Sequence, residues 1–198
     1  MTVKLFCKTI LLTGILSLAS TTLHATESPW FVGINYDAGG DDIAEVVFTD
    51  GSTSRLSANE GIHFYAGKNF ANGVNSPWHT HVSAGYKIGS VTAKNGDLTW
   101  SAWPIEVIEF YNIEKVRLGA GLVYQLNPKV EGSGFASGLN LELDNALGFV
   151  LQFEYRFSPG VQEGMALGLR YTNISYSSSN LISEVSGSTI GGVFSYAF

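Results

Sequence analysis

The sequence predicts an all-β fold: an eight-stranded antiparallel transmembrane β-barrel, an up-and-down meander with long extracellular loops. Three observations predict it. Residues 1–25 have the make-up of an export signal, the segments that follow alternate with period two between an apolar face and a polar one, and the last strand ends on Phe198.

In the export segment, Lys4 and Lys8 precede an apolar run from Thr9 to Leu18, about the length of a signal-peptide core. Leu23-His24-Ala25 offers a cleavage site. The run is well short of the ~20 residues of a spanning helix. The domains expected are therefore a signal peptide over 1–25 and a barrel domain over 26–198. The only cysteine, Cys7, lies in the signal, so the mature chain has no disulfide, cysteine–zinc site or thiol nucleophile. Removing the two lysines leaves nine basic residues against 17 acidic ones, a net of −8. That balance gives no footprint for nucleic acid.

No apolar stretch after residue 25 reaches the length of a transmembrane helix, although 45% of the whole chain is hydrophobic. The arrangement resolves this, because a membrane barrel presents lipid-compatible side chains outward and polar ones inward. Trp30–Asp37 and Ile62–Phe70 place Asn35, His63 and Asn69 on the polar face, with Lys68 on the apolar one. In Trp78–Ile88, the set Trp78, Val82, Ala84, Tyr86 and Ile88 opposes His79, His81, Ser83, Gly85 and Lys87. Trp100–Tyr111 fits less well: Ile108 and Glu109 break the phase, which predicts a bulge there. Pro104 in the same segment must sit near a rim or face a missing ladder bond.

Val116–Asn127 sets Leu118, Ala120, Leu122 and Tyr124 against Arg117, Gly119, Gly121, Val123 and Gln125. In Leu147–Phe157 the alternation is complete, with Gln152, Glu154 and Arg156 facing away from Leu147, Phe149, Leu151, Phe153, Tyr155 and Phe157. Leu167, Leu169 and Tyr171 oppose Gly168, Arg170 and Thr172. The last strand sets Ile190, Phe194, Tyr196 and Phe198 against Thr189, Val193, Ser195 and Ala197. Aromatics near the strand ends suit interfacial girdles. A soluble sandwich would need a second sheet to cover so aromatic a face.

Short links are expected at 71–77, 112–115 and 158–164, and long outer ones at 38–61, 89–98, 128–146 and 177–188. The first long link contains Asp50-Gly51 between short β runs, which reads as a projecting hairpin. Counted as barrel strands, its two arms would make the total ten; eight is the preferred count.

The stretches VVFTDGSTSRLSANEGIHFYAG (46–67), WPIEVIEFY (103–111), VRLGAGLVYQLNPKVEGSGFASG (116–138) and the final GGVFSYAF resemble the small outer-membrane barrels of the OmpA/OmpX-type superfamily, in particular an uncharacterised outer-membrane β-barrel-domain family. The resemblance covers the whole mature chain. It implies residence in the bacterial outer membrane, contact with outer-membrane lipids and lipopolysaccharide, and delivery by periplasmic chaperones to the barrel-assembly machinery. Phe194, Tyr196 and Phe198 match the C-terminal assembly signal. The resemblance supplies no catalytic residue.

Glu106, Arg117, Glu154, Arg156 and Arg170 fall on the inward face with Gln125 and Gln152. An eight-stranded barrel is just wide enough for side chains to fill, and isolated buried ions are very costly. A self-paired charge plug follows, with Glu154 expected to meet Arg117, Arg156 or Arg170; a narrow pore is the alternative. His63, His79 and His81 are numerous enough for a metal site, but they read as lumen hydrogen-bonding groups, so no metal or cofactor is expected. His81 and Ser83 resemble part of the His-x-Ser pattern of outer-membrane lipid A deacylases. Here Ala84 follows where those enzymes have Asn, and the phase turns the pair inward. A non-enzymatic barrel acting through its outer loops is the expected function, with a narrow ion or solute channel and an envelope lipid hydrolase as alternatives and an extracellular partner that the sequence does not identify.

Overall fold

The computed structural model describes residues 29–47, 53–93, 96–157, 164–179 and 183–198. The export segment and the Asp50-Gly51 turn lie outside the described residues. Eight strands form the barrel: β1 (Trp30–Gly39), β2 (Gly61–Ala71), β3 (Trp78–Ala93), β4 (Gly96–Ile113), β5 (Val116–Gly132), β6 (Ala146–Arg156), β7 (Gly164–Asn173) and β8 (Thr189–Ala197). Each pairs antiparallel with the next. The ring closes where β1 meets β8, from Phe31↔Ala197 to Gly39↔Thr189, and the Phe198 amide donates to the Trp30 carbonyl at 2.9 Å. Closure leaves no strand edge in the ring.

The alternation read from the sequence is the alternation observed. β6 alternates buried and exposed at every position from Ala146 to Arg156. Outward residues such as Trp30, Phe64, Trp103, Leu118, Phe153, Leu169 and Phe198 are exposed, whereas Asn35, His63, Gln125, Glu154 and Arg170 are buried. Lys68 does point outward, and its ammonium lies 5.5 Å from the Trp30 ring centre and 5.9 Å from that of Phe70. Flanking aromatics thus hold the cation at the rim.

Three expectations need correction. The bulge is not at Ile108 and Glu109, which pair in register with Gly121 and Ala120. Ile108 is simply an apolar residue facing inward, and Glu109 a polar residue facing outward. The register shift lies between Ser101↔Lys129 and Trp103↔Leu126. There β5 places Asn127 and Pro128 against Ala102, with Asn127 at φ 47°, a backbone conformation that asparagine tolerates better than most residues. Pro104 sits where the β3–β4 ladder has a gap between Ala84↔Ile105 and Lys87↔Ala102, so its missing N–H is not needed.

The second correction concerns the link expected over 89–98, most of which is strand, since β3 runs to Ala93 and β4 resumes at Gly96. The third concerns the first-loop hairpin. Its arms, Asp42–Val47 and Thr53–Ser57, pair with each other and not with the ring, which keeps the barrel at eight strands. The base of the hairpin does not project, however: Leu56, Ala58 and Asn59 are buried across the mouth.

One glycine sets a close approach between the neighbouring strands β1 and β2. Gly33 pairs with Tyr65, and a Cβ on Gly33 would stand 2.2 Å from the Tyr65 ring. Gly33→Val should displace that ring and lower stability by about 1–3 kcal/mol, measured as a lower urea midpoint for the barrel folded in lipid vesicles.

Candidate functional site

The inward positions of the eight strands build a filled lumen in two layers. The lower layer lies nearer the short turns. Arg117 and Glu154 are direct cross-strand partners on β5 and β6, and both Nε and Nη2 of Arg117 donate to Glu154 Oε2. Arg117 Nη2 also donates to Ser195 Oγ on β8 at 3.2 Å, and its guanidinium lies 4.7 Å from the centre of the Phe110 ring. The other Glu154 oxygen accepts from Gln152 Nε2. Gln152 Oε1 in turn accepts from Arg170 Nη1 at 3.2 Å.

Arg170 then spans the lumen from β7 to β4. Its Nη1 donates to Glu106 Oε2 at 3.0 Å and its Nη2 to Glu106 Oε1, a two-pronged guanidinium–carboxylate contact. Arg170 Nε donates to Thr172 Oγ1 at 3.2 Å, and His63 Nδ1 lies 4.0 Å from Glu106. Four of the five charges singled out in the sequence, Glu106, Arg117, Glu154 and Arg170, therefore join through Gln152 into one network. Arg156 also faces inward but sits at the turn end, where Nη2 donates to the Glu114 carbonyl.

The three histidines do not converge as a metal site; among the described residues no group of three His, Cys, Asp or Glu side chains has that geometry. His81 stacks on Phe31 and packs against Phe110, both with ring centres 4.5 Å away, and its Nε2 lies 3.3 Å from Arg117 Nη1. These contacts make it a packed lumen residue.

The upper layer was not anticipated as a unit. Lys87 Nζ donates to Asp37 Oδ2 at 2.6 Å and to Asn59 Oδ1 at 2.7 Å. Asn59 Oδ1 also accepts from Gln125 Nε2 at 2.8 Å, and Gln125 Oε1 accepts from the Tyr176 hydroxyl at 2.7 Å. Asn59 Nδ2 donates to the Gly187 carbonyl at 2.9 Å and to Thr189 Oγ1 at 3.3 Å. Asn59 belongs to the first long loop and Tyr176 and Gly187 to the last. One amide therefore fastens two loops to the lumen. The inward phase of Asp37 and Lys87 was a sequence signal for this layer; Asn59, outside any periodic strand, carried none.

Above Asn59 lies an apolar lid of Leu56, Ala58, Leu98, Trp100, Val130 and Tyr176. The Trp100 and Tyr176 rings meet edge to face with centres 5.0 Å apart. Backbone bonds stitch the loops beneath them: the Asp41 amide donates to Ser186 O at 2.7 Å, Ala58 N to Asp41 O at 2.9 Å, and Gly187 N to Ile174 O at 2.8 Å. Two interior voids beside Arg117 measure only about 20 and 10 Å³, enough for roughly one water each. Packed and cross-paired in this way, the lumen can brace the wall.

A closed ring of eight antiparallel strands, apolar outside and polar and packed within, is the architecture of the small outer-membrane β-barrels. Among solved structures the chain is similar to Ail, the attachment invasion locus protein of Yersinia pestis, at TM-score 0.53 and 14% identity over 86% of this chain and 97% of that one. It is similar also to neisserial surface protein A, at TM-score 0.50 and 12% identity over 87% and 98%. These likenesses show the fold. No protein-family model matches the sequence, and no curated protein matches it.

Proposed function

We propose that the protein is an integral barrel of the bacterial outer membrane, inserted after removal of its export signal, and that its role is carried by the loop surface facing outside. The observation that carries this reading is the doubly closed lumen, with charge pairs across it and a loop-built apolar lid above. A barrel filled in this way stiffens its wall and holds its loops in fixed positions. It transports little through its centre. The aromatic outward rims support the membrane setting.

The loop surface also restricts the partner. Ail has been captured with the heparin analogue sucrose octasulfate, a ligand that demands free cationic groups. Among the described residues the loop-end cations are already matched: Arg55 faces Asp42 at 3.3 Å and Glu45 at 3.9 Å, and Lys129 faces Glu131 at 2.9 Å. Asp41, Glu142 and Asp144 add further acid. The surface accordingly favours a neutral or cationic partner over a sulfated polysaccharide.

The test is conductance in planar bilayers. The folded protein is expected to give no single-channel steps, whereas reproducible steps would replace this reading with the narrow channel. In parallel, immobilised heparin is expected to retain none of the protein at physiological salt. The hydrolase alternative is met by incubating the barrel with purified lipopolysaccharide, from which no fatty acid release is expected.

A further inference from the structure

Where all eight strands pair into the closed ring, Glu109 is the only carboxylate on the outward face. A charge on the lipid side of a barrel is costly in proportion to its depth. On β4 it stands above Tyr111, at the end of the barrel that carries the short turns. The Trp78 and Tyr111 rings pack 4.8 Å apart beside it. Its Oε1 accepts from Asn72 Nδ2 at 2.5 Å and its Oε2 from Thr80 Oγ1 at 2.6 Å. It takes part in no ion pair among the described residues. A carboxylate has about four lone-pair positions, so two neutral donors leave room for a cation.

An outward groove of roughly 580 Å³ begins at this carboxylate. It follows a row of cross-strand partners across five strands, Glu109↔Ala120↔Leu151↔Tyr171↔Ile190. The adjacent row is Tyr111↔Leu118↔Phe153↔Leu169↔Gly192. A small residue, Ala120, interrupts the first row within the groove, and the second row ends just beyond it on Gly192, where an added Cβ would meet nothing within 4 Å. Four strand spacings make the row about 19 Å long. With strands tilted by about 45° it climbs roughly 13 Å, close to the ~15 Å half-thickness of a bilayer's hydrocarbon core.

We propose that this groove binds one phospholipid of the leaflet at the turn end, with a primary ammonium in its headgroup paired to Glu109 and an acyl chain laid along the two rows. The carboxylate selects the headgroup by charge, Asn72 and Thr80 hold it in place, and the apolar rows accept the chain. A second copy of the protein is the competing occupant, but it would have to bring a cation to Glu109. Within the span where all eight strands pair, Lys68 is the one outward cation among the described residues, and it is already seated against Trp30 and Phe70. Lys115 in the β4–β5 turn is the cation a second copy could offer, which makes a dimer an outcome of the test.

The proposal rests on the membrane reading above. Its test is native mass spectrometry of the full-length mature barrel, folded and purified in detergent. Lipids of identical chains bearing ethanolamine, choline or glycerol headgroups are added in equal amounts. One ethanolamine lipid should be retained per barrel, with a preference of about fivefold (~1 kcal/mol) over the glycerol lipid. Glu109→Gln should abolish the preference while leaving the fold intact, Ala120→Phe should displace lipid of every headgroup, and Lys68→Gln should change nothing. Equal retention of all headgroups by a folded barrel, a preference that survives Glu109→Gln, or a dimer in place of the lipid adduct would overturn the proposal while leaving the membrane reading intact. A chain that neither inserts into vesicles nor holds any lipid would overturn both.

Discussion

Arg170→Met is expected to destabilise the barrel by about 3–5 kcal/mol, the cost of leaving a buried carboxylate without its partner. Arg170 and Glu106 are 4% and 3% exposed, and both guanidinium arms are committed to the carboxylate across the lumen. Among the described residues no other cation is placed to replace them. His63 is 4.0 Å from Glu106, beyond a direct hydrogen bond, and Lys87 is occupied by Asp37 and Asn59. Removing both charges, in Glu106→Gln with Arg170→Met, should recover most of the loss, because a buried pair replaced as a unit by neutral groups is often near neutral. Urea unfolding from lipid vesicles measures both. A double variant as unstable as the single one would show that the pair stabilises through its geometry, beyond mutual neutralisation. The same substitution made at Arg117 should cost less, since Glu154 would keep the hydrogen bond from Gln152 Nε2.

The contrast between these two arginines marks what a sequence can and cannot disclose about such a molecule. The side on which Arg170 and Arg117 lie was legible, because strand parity alone decides it and a slip of one residue would turn every outward aromatic into the lumen. Their partners were partly legible: Arg117 and Glu154 follow once β5 and β6 are neighbours in register. Arg170 and Glu106 lie three strands apart and meet only because eight strands close a ring of small radius. Asp37 and Lys87 showed their inward phase, yet nothing local marked them as a pair. The bulge was misplaced for a related reason. Ile108 and Glu109 look out of phase when inward positions are assumed polar, but a lumen with an aromatic and aliphatic layer accepts Ile108 and Phe110. The true irregularity falls at Asn127-Pro128, a turn-prone dipeptide whose signal is masked by the regular alternation that precedes it. Least legible was the lid. Asn59, Tyr176 and Gly187 stand in loops, where no periodicity constrains direction, and their burial depends on four separate segments meeting over one mouth.

That lid supplies the second large effect. Asn59 adopts φ 63°, a left-handed conformation that asparagine tolerates and alanine does not favour. Asn59→Gly therefore removes the amide without straining the backbone, and isolates the side chain's contribution. Four hydrogen bonds disappear together: those from Lys87 and Gln125 to Oδ1, and those from Nδ2 to Gly187 and Thr189. The bond from charged Lys87 is worth about 1.5–3 kcal/mol and the neutral ones about 0.5–1.5 each. Such a loss is large beside the few kilocalories that hold a loop closed. The first and last loops should consequently become protease-sensitive, and amide exchange at Ala58 and Gly187 should quicken by orders of magnitude while exchange within β6 stays slow. Conductance should nevertheless remain absent, because the layer of Arg170, Glu106, Arg117 and Glu154 lies beneath Asn59 and does not depend on it. On the proposed reading the two layers act as closures in series. Channel steps from Asn59→Gly by itself would show instead that the lid is the barrier and the charge layer is leaky, and would move the function from the loop surface to the lumen.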